Sequence, residues 1–184
     1  WEQGNTRETG NSFNIALDDP VDENGKPRTG FLKVRDDKGN EYFTRDGDMQ
    51  LDKQGRLVTR HHMRYLDQGG QEIVLLGDQG APGTIAVSPN GTISDPVSGQ
   101  TWGPLGLYAP PRDGNARQAA LDSLTPVGNG LYTSADDKAM QAAPDVMVRQ
   151  HQLEGSNVDS LQEMVRMITV QRTFGASQRA LSGI

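Results

Sequence analysis

Three glycines spaced eight residues apart, Gly39, Gly47 and Gly55, set the strongest limit on how this chain folds. Each lies in a short polar turn between segments that are rich in aromatic, aliphatic and β-branched side chains. Glycine adopts the positive φ angles that tight hairpins require, and the interval is too short for a solenoid repeat. The pattern therefore predicts an antiparallel meander of four short strands, with the sequences FLKVR, EYFT, DMQL and RLVT.

Strand patterns also occur on both sides of this block. Alternating or continuous apolar runs bounded by glycine, proline and asparagine predict strands at 13–17, 72–76, 84–87, 92–94, 102–109, 131–133 and 146–152. The dipeptide Asn90-Gly91 predicts a hairpin turn, and residues 116–124 have a weak helical pattern. We therefore expect a mainly β fold, an antiparallel meander of barrel-like or sandwich-like form, followed by a C-terminal α-helix.

The helix is predicted from residues 153–181, the longest segment without proline or turn clusters. Its apolar residues recur at spacings of three and four, which places them on two offset stripes of a helix. One stripe contains Val158, Leu161, Val165 and Ile168, and the other contains Met167, Val170, Phe174, Leu181 and Ile184. Because two stripes exceed what one small domain can cover, we predict an assembly surface, against the alternative of ordinary burial on the β domain.

These patterns divide the chain into three parts. Residues 1–12 are polar, without periodicity, and are predicted to be a connector. Residues 13–145 form the β-rich domain, and residues 146–184 form a strand and linker that lead into the assembly helix. An acidic, proline-containing stretch at 18–28 is predicted to be an exposed loop.

Charge and composition limit the possible functions. The 184 residues carry a net charge of −6, and no block of lysine and arginine occurs, so nucleic-acid binding is not expected. Cysteine is absent, which excludes thiol catalysis, disulfides and thiolate metal sites. No apolar window approaches the 18 residues of a membrane span, and no signal-peptide pattern occurs, so direct membrane insertion is not expected.

Few residues suggest a catalytic or metal site. Asp46 and Asp48 could form a glycosidase carboxylate pair, but carboxylates of this spacing are far commoner in hairpin turns. His61 and His62 lack further ligands at metal-binding spacing, and with His151 they are predicted to be surface residues. The sequence therefore predicts no catalytic residue, no metal site and no cofactor, and a protein that is not an enzyme.

Several motifs resemble one protein family. The segment LEGSNVD at 153–159 is followed by Glu163-Met164, Met167-Ile168 and Gln171-Arg172, and upstream the chain contains GFLKV at 30–34, YFTRDGD at 42–48 and GNGLY at 128–132. In this order and spacing they resemble the bacterial flagellar hook-basal body (rod and hook) protein family. The rod proteins look closer, since a hook subunit carries a large additional domain for which this chain has no room.

This resemblance implies a structural subunit of the flagellar basal-body rod, the axial tube that links the motor to the hook. Such a subunit is exported by the flagellar type III apparatus, and it self-assembles helically with itself and with other axial rod and hook proteins outside the cytoplasmic membrane. It thereby contributes to motility. Two alternatives remain from the sequence: a flagellar hook subunit, and an unrelated extracellular β-rich binding module. A glycan-acting enzyme would require clustered carboxylates in a cleft.

Overall fold

A computed structural model describes residues 4–21, 25–77, 80–136, 139–155, 167–171 and 174. The strands are β1 (Thr6–Glu8), β2 (Ile15–Asp18), β3 (Phe31–Arg35), β4 (Glu41–Thr44), β5 (Met49–Leu51), β6 (Leu57–Thr59), β7 (Arg64–Tyr65), β8 (Ala86–Val87), β9 (Thr92–Ser94), β10 (Thr101–Pro104), β11 (Leu107–Ala109), β12 (Leu124–Gly128), β13 (Leu131–Ser134), β14 (Gln141–Ala142), β15 (Met147–Gln150) and β16 (Gln152–Glu154). One helix, α1 (Gly114–Asp122), precedes β12, and residues 167–171 and 174 are also helical.

A nine-stranded antiparallel sheet is the centre of the fold. Its main order is β12-β13-β4-β3-β7-β6-β5, with β11 joining β3 to β14. A three-stranded sheet has the order β10-β9-β8, and the pairs β1-β16 and β2-β15 complete the structure. The prediction of a mainly β, antiparallel fold is therefore confirmed, although no closed barrel occurs within the described part of the chain.

The four strands of the predicted meander are present, but their pairing differs from a simple meander. Strands β3 and β4 form one hairpin and β5 and β6 form another. Strand β4 pairs on its other side with β13, not with β5. The two hairpins are connected through β7, which pairs with both β3 and β6. The prediction of a continuous meander is therefore wrong between the second and third strands.

The reason lies at Gly47, between the two hairpins. Gly39 and Gly55 have the predicted positive φ angles, 89° and 72°, but Gly47 does not lie in that region. Instead its backbone packs against the start of β2: the N–H of Ile15 donates to the carbonyl of Gly47 over 3.0 Å. A Cβ atom on Gly47 would lie 1.9 Å from the carbonyl oxygen of Ile15. Gly47 is thus required by a close backbone approach and not by turn geometry.

Two other predicted strands also differ. Residues 72–76 contribute isolated bridges at Glu72 and Val74 and not a continuous strand. Residues 102–109 divide into β10 and β11, which belong to different sheets. The Asn90-Gly91 hairpin is confirmed, because β8 pairs with β9 and Gly91 has φ 82°.

One hydrophobic core joins the sheets. Ile15 from β2, Leu32 from β3, Tyr65 from β7, Ile93 from β9 and Val148 from β15 are all buried in it. Burial of such side chains is the main stabilising contribution to a fold of this size. The strand pair β2-β15 is therefore held to both sheets by apolar packing.

A second apolar cluster lies on the other side of β3 and β4. Phe31 and Phe43 meet there edge to face, with ring centroids 6.4 Å apart, and Phe31 meets Tyr132 in the same way at 6.0 Å. Leu124 and Met140 complete the buried set. Edge-to-face contacts add to the energy of area burial. Leu121 of α1 packs against this cluster, which therefore attaches α1 to the sheet.

Helix α1 confirms the weak helical pattern, shifted by two residues. It begins after Asp113, whose carboxylate accepts hydrogen bonds from the N–H groups of Asn115 and Ala116, each over 3.0 Å. Such a cap satisfies two backbone donors that the first helical turn leaves free. Among the helices that the structure describes, none is long and apolar enough to span a membrane.

Candidate assembly surface

Residues 6–18 and 147–154 form a two-stranded ribbon. Strands β2 and β15 form its inner half, and β1 and β16 form its outer half. Between the halves, the N–H of Thr9 donates to the carbonyl of His151 and the N–H of His151 donates to the carbonyl of Asn14, each over 2.8 Å. His151 has φ 64°, in the left-handed region, and it marks a bend between the halves. The predicted connector at 1–12 thus contains a strand, while the three-part division of the chain stays a prediction.

The two halves differ in burial. Ile15, Ala16 and Leu17 of the inner half are buried. All three residues of β1 are exposed, and the three of β16 are half-buried. An isolated two-stranded sheet is at best marginally stable in water, so the outer half needs contacts beyond its own pairing.

A buried ionic cluster supplies such contacts. Arg45, in the loop after β4, donates from Nε to Oε2 of Glu154 over 2.8 Å and from Nη1 to Oδ1 of Asp19 over 3.0 Å. The same Nη1 donates to the carbonyl of Gly30 over 2.6 Å. The exposed fractions of the side chains are 13% for Arg45, 1% for Asp19 and 11% for Glu154. One guanidinium therefore joins the end of the ribbon to two loops of the β domain.

Burial and charge shift the pKa values of this cluster. Burial raises the pKa of the Asp19 carboxyl above its ordinary value, although Arg45 and the Gly30 N–H act in the opposite direction. For Arg45, burial alone would lower the pKa, but the carboxylates of Asp19 and Glu154 raise it above its ordinary value. Arg45 therefore stays charged, and among the described residues it is the one cation that pairs with both carboxyl groups of the cluster.

The ribbon ends in a close contact between the two chain segments. The N–H of Gly4 donates to Oε1 of Glu154, and the N–H of Gly155 donates to the carbonyl of Asn5, each over 2.8 Å. A Cβ atom on Gly4 would lie 2.0 Å from the carbonyl oxygen of Gly155. The backbones of residues 4–5 and 154–155 are therefore in direct contact at the end of the ribbon.

Four of the eight predicted assembly residues are described, and all four are exposed. The exposed fractions are 64% for Met167, 45% for Ile168, 62% for Val170 and 63% for Phe174. These residues are helical, as predicted, and they are not buried against the β domain of their own chain. The other four, Val158, Leu161, Val165 and Leu181, lie outside the described residues, as does Ile184.

The polar residues considered for catalysis have structural partners. Asp46 accepts a hydrogen bond from the N–H of Asp48, whose own carboxylate accepts one from the side chain of Asn14 over 2.8 Å. His61 and His62 are exposed, as is His151. Within the ranges that the structure describes, no three histidine or acidic side chains are placed to hold a metal ion.

An open depression of about 420 Å³ lies beside the β5-β6 hairpin. Its charged lining includes Asp37, Asp52 and Arg56. Arg56 donates to Asp52 over 2.6 Å, and Asp37 contacts Arg64 over 3.1 Å. Asp37, Asp52 and Arg56 are therefore each held in an ion pair.

Comparison with known proteins identifies the family. Residues 28–95 match the family described as the flagellar hook protein FlgE/F/G D1 domain. Residues 149–183 match the family described as the flagellar basal body rod FlgEFG protein C-terminal. Together the two matches cover more than half of the chain, and they contain both Arg45 and Glu154. This chain belongs to the flagellar hook-basal body (rod and hook) protein family.

Relatives within that family are named as rod proteins. The chain is 30% identical to the flagellar basal-body rod protein FlgF of Caulobacter vibrioides, over 95% of this chain and 62% of the relative. It is 31% identical to the flagellar basal-body rod protein FlgG of Buchnera aphidicola subsp. Acyrthosiphon pisum, over 98% of this chain and 64% of the relative. The chain thus spans a little under two thirds of the length of these relatives.

The ionic cluster is the part of the site that the sequence patterns did not predict. Arg45 lies in the motif YFTRDGD and Glu154 in the motif LEGSNVD, so both were within segments that carry the family resemblance. The two residues are 109 positions apart, and nothing in one sequence pairs a particular arginine with a particular glutamate at that separation.

Proposed function

We propose that this chain is a structural subunit of the flagellar basal-body rod, which acts by helical self-assembly and contributes to motility. Its partners are other copies of itself and other rod and hook subunits, and its place is in the basal body outside the cytoplasmic membrane. It is not an enzyme. The eight residues Val158, Leu161, Val165, Met167, Ile168, Val170, Phe174 and Leu181 form the assembly surface.

One observation carries this proposal: exposed apolar side chains occur on helical residues in the segment that matches the rod C-terminal family. Met167, Val170 and Phe174 are each more than 60% exposed in the isolated chain. Apolar residues at spacings of three and four are typical of helices that pack against other helices. A partner in an assembly would remove this surface from water, which favours association by the hydrophobic effect.

The rod is favoured over the hook because the relatives described above carry the names of rod proteins. An extracellular binding module is less well supported, since it would leave these helical residues without a role. A rod subunit should fail to assemble when the helical residues are changed, whereas a binding module should be unaffected. This difference provides a test.

The experiment introduces Val170→Asp and Phe174→Asp together into the complete protein and measures its incorporation into purified basal bodies and the motility of the cells. Two charges on the assembly surface would have to be buried without partners, which costs several kcal/mol at an interface. We expect the variant to be absent from basal bodies and the cells to be non-motile, with the β domain still folded.

Val97→Asp is the matched control. Val97 is 88% exposed in the loop between β9 and β10, so this variant adds a charge to an exposed apolar residue far along the sequence from the helix. We expect normal incorporation and motility. Normal incorporation of the Val170→Asp, Phe174→Asp variant would reject the proposed role of the helix.

A further inference from the structure

Among the described residues, the outer half of the ribbon is the last β structure before the helical residues 167–171. Its orientation relative to the sheet therefore sets the position and direction of the backbone at Gly155. Because β1 is exposed along its whole length, apolar packing of β1 does not fix the orientation of the outer half.

We propose that Arg45 is a positioning residue: by holding Glu154 against Asp19 and Gly30, it fixes the outer half of the ribbon to the β domain and sets the direction in which the chain leaves towards the assembly helix. This inference rests on the function proposed above. It assigns to one arginine a role that lies outside the assembly surface itself.

The geometry requires a guanidinium at this position. Arg45 contacts a carboxylate on β16, a carboxylate in the loop after β2 and a backbone carbonyl before β3. Its planar fork of donors can bind these groups at the same time in fixed directions. The ammonium group of lysine carries the charge but lacks this fork. The three elements are thus held at defined angles and not merely attracted to one another.

The surroundings make the cluster dependent on its single cation. Oδ2 of Asp19 is buried and accepts no hydrogen bond from the described residues. Its other oxygen, Oδ1, accepts from the N–H of Gly30 over 2.8 Å as well as from Arg45. Without the guanidinium, two carboxyl groups would face each other in a largely buried place, and the outer half of the ribbon would be repelled from the β domain.

A neighbouring ion pair provides a matched control. Arg149 on β15 contacts Asp18 on β2 over 2.6 Å, within the inner half of the ribbon. This pair is exposed and joins two strands that apolar packing already holds. Removing Arg149 therefore removes an ion pair from the same ribbon without detaching its outer half.

The test measures distances within the chain. Since the chain has no cysteine, spin labels can be placed on Arg7→Cys in β1 and on Lys53→Cys in the β5-β6 turn, both exposed positions. The distance distribution between the labels is then recorded for the parent, Arg45→Lys, Glu154→Ala and Arg149→Ala. Hydrogen exchange of amides in β3 and β4 confirms that each variant keeps its core.

We expect a narrow distribution for the parent and for Arg149→Ala. Glu154→Ala should broaden it about twofold, because the outer pair then keeps only its own marginal pairing and the two backbone hydrogen bonds at His151. Arg45→Lys should broaden it as well, since lysine cannot make the three directed contacts. An unchanged distribution in Glu154→Ala and Arg45→Lys would overturn the inference.

Incorporation into basal bodies separates this inference from the proposed function. If the parent is not incorporated, the proposed function is wrong whatever the labels show. If the parent and Glu154→Ala are incorporated equally well while the distribution broadens, the positioning role is wrong and the proposed function stands. We expect Glu154→Ala to be incorporated less well than Arg149→Ala.

Discussion

The backbone of Gly47 lies so close to that of Ile15 that a Cβ atom on Gly47 would be 1.9 Å from the Ile15 carbonyl oxygen. This contact places the start of β2 against the turn between the two hairpins of the nine-stranded sheet. The N–H of Met49 donates to the carbonyl of Phe13 over 3.1 Å at the same place. The inner half of the ribbon therefore begins in direct backbone contact with the turn that separates β4 from β5.

We predict that Gly47→Ala destabilises the protein strongly. The added methyl group cannot be accommodated without moving one of two hydrogen-bonded backbones, and we expect a loss of about 3 kcal/mol in the free energy of unfolding, measured in urea. Gly83→Ala is the control, because nothing lies within 4 Å of a Cβ atom at Gly83. Equal stability of the two variants would contradict the close approach.

Arg45→Met should also be costly. It removes the cation that pairs with both Asp19 and Glu154, which are largely buried. Breaking a buried ion pair by removing one partner typically costs about 3 to 5 kcal/mol, and urea unfolding measures this loss. Arg149→Met removes an exposed pair and should cost less than about 1 kcal/mol. Similar losses in the two variants would show that burial of the cluster has no energetic effect.

Asp19→Asn should change how stability depends on pH. Burial raises the pKa of Asp19 above its ordinary value of 3.8, so the folded protein binds this proton more tightly than the unfolded chain does. The stability that Asp19 contributes is therefore fully present below its unfolded pKa and is lost as pH rises through its folded pKa.

The measurement compares parent and Asp19→Asn by urea unfolding at a series of pH values from about 3 to 7. The free energy of unfolding of the parent, relative to that of the variant, should fall as pH rises. A difference that increases with pH would show that the pKa of Asp19 is lowered and not raised. Comparing the two proteins cancels the carboxyl groups with lowered pKa values, such as Asp36 and Asp52, which act in the opposite sense.

Asp113→Ala should weaken helix α1. The Asp113 carboxylate caps this helix through the N–H groups of Asn115 and Ala116, and loss of such a cap costs about 1 kcal/mol. Hydrogen exchange of the α1 amides should become faster, while exchange of the β6 amides should not change. Asp113→Asn keeps the acceptor and should behave like the parent. Faster exchange in the asparagine variant alone would contradict the capping role.

Local patterns predicted the strands well where turn residues bound them. The segments of β3, β4, β5 and β6 were recognisable because glycine-containing turns separate short apolar runs. The hairpin pairings β3-β4 and β5-β6 were predicted as well. The separation of β4 from β5 was not recognisable, because a glycine that is required for positive φ and one that is required for close packing look the same in a sequence. Gly47 is the second kind, and that difference changes the order of the sheet.

The terminal ribbon shows a second limit. Strand β1 is polar and exposed, so it lacks the alternation by which half-buried strands are recognised. Its partner β16 is far away in the sequence, with Thr6 opposite Glu154. The exposed residues Met167, Val170 and Phe174 were recognisable because helical spacing is a local property, whereas the contact of Arg45 with Glu154 is not.

Electron cryomicroscopy of basal bodies isolated from cells that produce this protein tests the central claim most directly. We predict density for the antiparallel β domain in the axial rod, with Val170 and Phe174 buried against helices of neighbouring subunits. A rod that lacks this chain, or one in which these two side chains stay in solvent, would contradict the account.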